Sequence, residues 1–190
     1  MRSCSIIVPD TSPLKTLAYA DAMHLLCKTG LRVQIVDLVL HELRAAAGLE
    51  GNRRAIEFIE RALRAGEIEL LNSGLQVDAL RAMGLDPGET AIQKVLKNAY
   101  EVSDEHYSLL LFEDTRIGKT AFVLPENVYL MTTRPFLRYL QQRGILTEEA
   151  ESVLQRAEKT ALAFGDPRSL LNRKREFDAP PKKGLSVRPF

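Results

Sequence analysis

The stretch Ser5-Ile6-Ile7-Val8-Pro9-Asp10-Thr11-Ser12-Pro13-Leu14 decides the fold. Residues 5–8 form a short β-branched run, which predicts a strand. Ser12-Pro13 then opens a helix, with a capping residue followed by proline at the first helical position. A strand that feeds straight into a helix is the first half of a βαβ unit, and the rest of the chain repeats the alternation. Further strands are predicted at residues 33–36, 68–71, 108–112 and 128–131, separated by stretches of helical period. Strands alternating with helices point to an α/β protein with a largely parallel sheet.

The helices carry their own punctuation. A short one runs from Asp21 through Leu25 and Leu26 and stops at Gly30, and Asp37 can cap residues 38–47. Asn52 is expected to cap residues 53–64, where Ile56, Ile59 and Leu63 share one face and Arg53, Arg54, Glu57, Glu60, Arg61 and Arg64 the other. Gly66 ends that helix. Gly84-Leu85-Asp86-Pro87-Gly88 is a dense turn signal, followed by a helix over 89–100 with Ile92, Val95, Leu96 and Ala99 at helical spacing. After the last strand come a helix over 135–142 and another from Thr147, its proposed cap, to about Phe164.

A chain of 190 residues with 45% hydrophobic and 27% charged residues is ordinary globular material, long enough to bury a core in one domain. The formal charge is +1, but it is unevenly spread. Residues 166–190 hold seven Lys and Arg against three Asp and Glu, leaving 19 against 22 in residues 1–165. The layout expected is therefore a domain over 1–146, an additional helix over 147–165 and a basic tail over 166–190. Two cysteines, Cys4 and Cys27, are too few for a disulfide framework and sit in no metal-binding spacing. With no signal-peptide core and no apolar run near the ~18 residues that span a bilayer, the expectation is a cytoplasmic protein that does not enter membranes.

In a parallel sheet the productive crevice lies at the carboxyl ends of the strands, so the residues just past each strand hold the chemistry. Asp10 follows the first strand and Asp114 the fourth, after Leu109-Leu110-Leu111-Phe112-Glu113. Glu42 lies one turn into the helix after the second strand, and Glu89 opens the helix after Asp86-Pro87-Gly88. Each acid alone has a plainer reading. Asp10 can cap a helix, Glu42 can be a solvated surface charge, Glu89 can answer the helix dipole and Asp114 can belong to a turn. Together they form an all-oxygen donor set, which suits Mg²⁺ or Mn²⁺ rather than Zn²⁺ and points to phosphodiester hydrolysis. His24, His41 and His106 lack the spacing of a zinc site or a catalytic triad, and no Gly-rich phosphate loop follows any strand.

In order and spacing, Ile6 to Leu14, Val39-Leu40-His41-Glu42-Leu43, Gly84 to Ile92 and Leu109 to Asp114 resemble the PIN domain. The turn Gly84-Leu85-Asp86-Pro87-Gly88-Glu89 is similar to the branch related to VapC toxin ribonucleases. The resemblance spans about residues 5–146. It implies a three-layer α/β/α sandwich around a central, mainly parallel five-stranded sheet, and a Mg²⁺- or Mn²⁺-dependent endoribonuclease centre. Asp10, Glu42, Glu89 and Asp114 would be its catalytic acids and metal ligands. Thr11, Ser12, Glu113, Thr132 and Thr133 would support them, with Glu113 and Asp86 as neighbouring substitutes, and Lys15, Arg116 and Lys119 could meet phosphate oxygens. The partners implied are an RNA substrate, a small antitoxin protein and a second copy of the chain. The alternative is a catalytically inactive PIN-like module that binds nucleic acid or protein.

Overall fold

Strand β1 (Cys4–Pro9) passes into helix α1 (Thr11–Tyr19) with Asp10 alone between them. The computed structural model describes residues 4–102, 107–113 and 124–166. After α1 come α2 (His24–Cys27), β2 (Arg32–Val36), α3 (Asp37–Ala45), α4 (Glu50–Ala65) and β3 (Ile68–Leu71). The second half holds α5 (Val77–Ala82), α6 (Pro87–Val102), β4 (Tyr107–Leu111), β5 (Val128–Met131), α7 (Thr133–Gln142) and α8 (Ala150–Ala163). It is an α/β protein with a parallel sheet.

The strands lie in the order β3-β2-β1-β4-β5, and every neighbouring pair is parallel. The chain thus steps from β1 to β2 to β3 in one direction, then crosses back over both to start β4 on the far side of β1. That reversal makes the boundary between β1 and β4 a switch point, and the helices pack α1 on α4 and α8, and α3 on α4 and α6. The inner strands are apolar because both faces are covered. Leu109, Leu110 and Leu111 of β4 and Val33, Ile35 and Val36 of β2 are all buried. At the edges β3 exposes Glu69 and Leu70, while β5 is half-buried throughout.

Helix α1 is the hub of its face. Pro13, Leu14, Thr16, Leu17, Ala18 and Tyr19 are buried, because α1 packs on α4, on α8 and on α3. Gly51 of α4 makes the α1–α4 approach feasible, since a Cβ there would lie 2.5 Å from the Tyr19 ring. Helix α8 packs on α1 and α7 through small residues: Ala150, Val153, Ala157 and Ala161 are buried in the same core as the strands. Beyond it, Asp166 accepts a hydrogen bond from the Tyr19 hydroxyl at 2.8 Å and pairs with Lys15 at 3.4 Å. Residues 167–190, which contain nearly all of the expected tail, lie outside the described residues.

Several caps differ from expectation. Asp10, not Ser12, holds the N-cap position of α1, so Pro13 falls at the third helical residue, where its missing N–H has no intrahelical partner to lose. Asn52 sits inside α4, which starts at Glu50. Its amide instead donates to the carbonyls of Leu43 and Ala46, closing the carboxyl end of α3. Thr147 gives way to Glu149 as the N-cap residue of α8, and the Ala150 amide is met by the Gln141 side chain at 3.0 Å. Helix α5 was not foreseen, its six residues being too few to show a period.

Candidate functional site

The strand order reverses between β1 and β4, and at such a switch point the loops leaving two adjacent strands part to opposite faces and open a crevice. Asp10 stands on its edge. The Asp10 amide donates to the Leu111 carbonyl at 2.8 Å, and the Phe112 amide to the Met131 carbonyl at 3.1 Å. The parallel ladder therefore continues one residue past β1 and β4. Asp10, Phe112 and Thr132 stand in a row along the carboxyl edge of the sheet.

Around Asp10 the acids gather. Its carboxyl pKa is pushed from the ordinary 3.8 up to about 7. Burial is the main cause, opposed by a hydrogen bond from the Thr11 amide, and Glu42, Asp86 and Glu113 raise it further by repulsion.

Glu42 is brought there by α3, which begins directly after β2. The Thr11 hydroxyl donates to Glu42 Oε2 at 2.6 Å, tying the start of α1 to α3. On the third side is the turn into α6. Asp86 Oδ1 accepts from the Glu89 amide at 3.0 Å, and the Asp86 carbonyl receives both the amide and the hydroxyl of Thr90. This is an Asp cap with proline at the first helical position, which aims the amino end of α6 toward the acids. Gly88 is the closest approach: a Cβ there would lie 3.0 Å from Glu42 Oε2 and 3.6 Å from Asp86 Oδ1.

Glu113 is the buried member, 5% exposed. Thr16 of α1 donates to its Oε2 at 3.0 Å, and Thr133 of α7 donates to its Oε1. Of the residues expected at the site, Asp10, Glu42, Thr11 and Glu113 therefore meet here, and Thr133 joins them through Glu113. Asp86, ranked below Glu89 from the sequence, is one of the acids that act on Asp10. Glu89 occupies the first turn of α6 and Ser12 that of α1. Thr132 holds the N-cap position of α7, its carbonyl receiving the Phe136 amide. Lys15 is paired with Asp166. Asp114, Arg116 and Lys119 lie outside the described residues. Thr16 was missed, although a hydroxyl among Leu14, Leu17 and Ala18 on the buried side of a helix was a signal that something polar had to meet it.

The donor chemistry suits a hard divalent cation: carboxylate oxygens, one of them poorly hydrated and repelled by its neighbours. Among the described residues no group of three or more His, Cys, Asp or Glu side chains is already arranged to hold one. No model of a known protein family matches the chain, and no curated protein matches it.

Proposed function

We propose that this protein is a metal-dependent endoribonuclease of PIN type, built as a three-layer α/β/α sandwich on a five-stranded sheet, and the toxin half of a toxin–antitoxin pair. The observation that carries the reading is Asp10, a desolvated carboxyl at the switch point of a parallel sheet, faced by Glu42, Asp86 and Glu113. Four sequence segments resembling the PIN domain meet that description in order. Asp10, Glu42, Glu89 and Asp114 would hold Mg²⁺ or Mn²⁺, and the ion would supply Lewis acidity toward a phosphoryl oxygen and a more acidic bound water. The chain's own part is positioning. Thr11 fixes Glu42, Asp86 fixes the amino end of α6, and burial keeps Asp10 poorly hydrated and receptive to a cation.

The partners belonging to this reading are single-stranded RNA, a small antitoxin and a second copy of the chain, in the cytoplasm. Among the described residues no helix is long and apolar enough to cross a membrane. The test is cleavage of single-stranded RNA by the purified chain with Mn²⁺ or Mg²⁺. Cleavage should stop with a chelator and fall by at least about 100-fold in Asp10→Asn, since losing a metal ligand forfeits several kcal/mol of charge stabilisation. Cleavage that survives Asp10→Asn would sink the assignment. RNA binding without cleavage would favour the inactive-module reading instead.

A further inference from the structure

Glu113 is a buried carboxylate with an unusual set of attachments. It follows β4 by two residues, and its two oxygens take hydroxyls from helices that follow two other strands. Thr16 belongs to α1, which Asp10 precedes. Thr133 opens α7, which follows β5 after Thr132. The side chain thus straps together the exits of β1, β4 and β5, the three strands whose ends the backbone ladder already aligns through Leu111 and Met131.

The strap bears on Asp10 through α1. Thr16 lies six residues past Asp10, the N-cap of the same rigid helix, about 9 Å along its axis, so fixing Thr16 fixes the direction in which Asp10 leaves the sheet. A purely apolar core would fill this space without the expense of desolvating a charge, since a buried carboxylate needs compensating donors merely to break even. Two hydroxyls meeting one carboxylate fix distance and direction in a way that packing does not.

We infer that Glu113 is a positioning residue of the proposed nuclease site: clamped by Thr16 and Thr133, it sets the placement of Asp10 without touching substrate. This rests on the nuclease reading and deepens it. Thr133→Val removes one clamping hydroxyl at nearly constant volume. Glu113→Gln keeps the shape but loosens the clamp: it offers a single acceptor oxygen, so one threonine hydroxyl must turn from donor to acceptor, and two charge-assisted bonds become weaker neutral ones.

The experiment measures Mn²⁺ affinity by calorimetry, and kcat and KM on single-stranded RNA, for the full chain and both variants. Residues that orient metal ligands typically cost 10–100-fold in affinity or activity when altered. Both variants should therefore bind Mn²⁺ about tenfold more weakly and lose about tenfold in kcat, with KM within about twofold. Thr133→Ser, which restores the hydroxyl, should recover most of the loss. A merely structural strap would lower the melting temperature and leave Mn²⁺ affinity and kcat of the folded protein unchanged, and that result overturns the inference. Should Thr133→Val fail to fold, Glu113→Gln decides alone. A wild-type chain that neither binds Mn²⁺ nor cleaves RNA overturns the nuclease reading and this inference together. A competent wild type with unaltered variants overturns this inference only.

Discussion

Asp10 links β1 to α1, and the same burial that makes its carboxyl receptive to a cation makes it a liability when no cation is bound. A carboxyl raised from 3.8 to about 7 binds a proton in the folded chain at pH values where the unfolded chain has released it. Its favourable contribution is therefore complete below about pH 4 and is lost as pH rises through about 7. The difference is worth on the order of 4 kcal/mol. Asn has no proton to lose. In the absence of divalent ions, Asp10→Asn should flatten the fall in stability between pH 5 and 8 and be the more stable protein at pH 8, as read from urea midpoints across that range. Added Mn²⁺ should then stabilise wild type at pH 8 and leave the variant unmoved, because only a ligand bound by the native state shifts the balance. Equal pH slopes in the two proteins would show that Asp10 titrates normally.

The elements were largely legible, and the reason lies in the kind of signal each one sends. Residues 68–71 and 128–131 form strands as expected, because short β-branched or leucine-rich runs bounded by turns have few other fates. Cap positions were less legible: Asn52 looked like the start of a helix because Asn favours caps, and nothing local shows that the carbonyls it meets, Leu43 and Ala46, belong to the preceding helix. The acids show the same division. Their approach to the carboxyl edge follows from the alternation of strand and helix, but the part that Asp86 plays beside Asp10 depends on how the α6 cap turns its side chains. Asn52→Ala should cost about 1–2 kcal/mol in denaturant unfolding, the usual cost of leaving buried carbonyls unpaired. A cost below about 0.5 kcal/mol would mean that water replaces the amide freely.

Across the whole molecule, the helix expected as an addition past residue 146 is part of the core. Its Ala150, Val153, Ala157 and Ala161 are buried, Arg156 donates to the Ala20 carbonyl at 2.8 Å, and Asp166 meets Lys15 and Tyr19 of α1. A chain ending at Leu146 should lose its cooperative unfolding transition by circular dichroism, with a chain ending at Asp166 as the reference that keeps α8. If the shorter chain melted within about 3 °C of that reference, a shift this size normally meaning about 1 kcal/mol, α8 would be dispensable to the fold.

The strand order has one more consequence, and it concerns time. β1 is the first strand made, yet its partner on one side, β4, is separated from it by about a hundred residues. At a synthesis rate of about 5–20 residues per second, β1 leaves the ribosome roughly 5–20 s before β4 exists to pair with it. Asp10 and Glu113 cannot meet during that interval, because the strand that carries Glu113 to the crevice has not been translated. A ribosome-bound fragment ending before β4 would hold Asp10 and Glu42 but not the closed acid cluster, so the site is among the last features of the molecule to be completed.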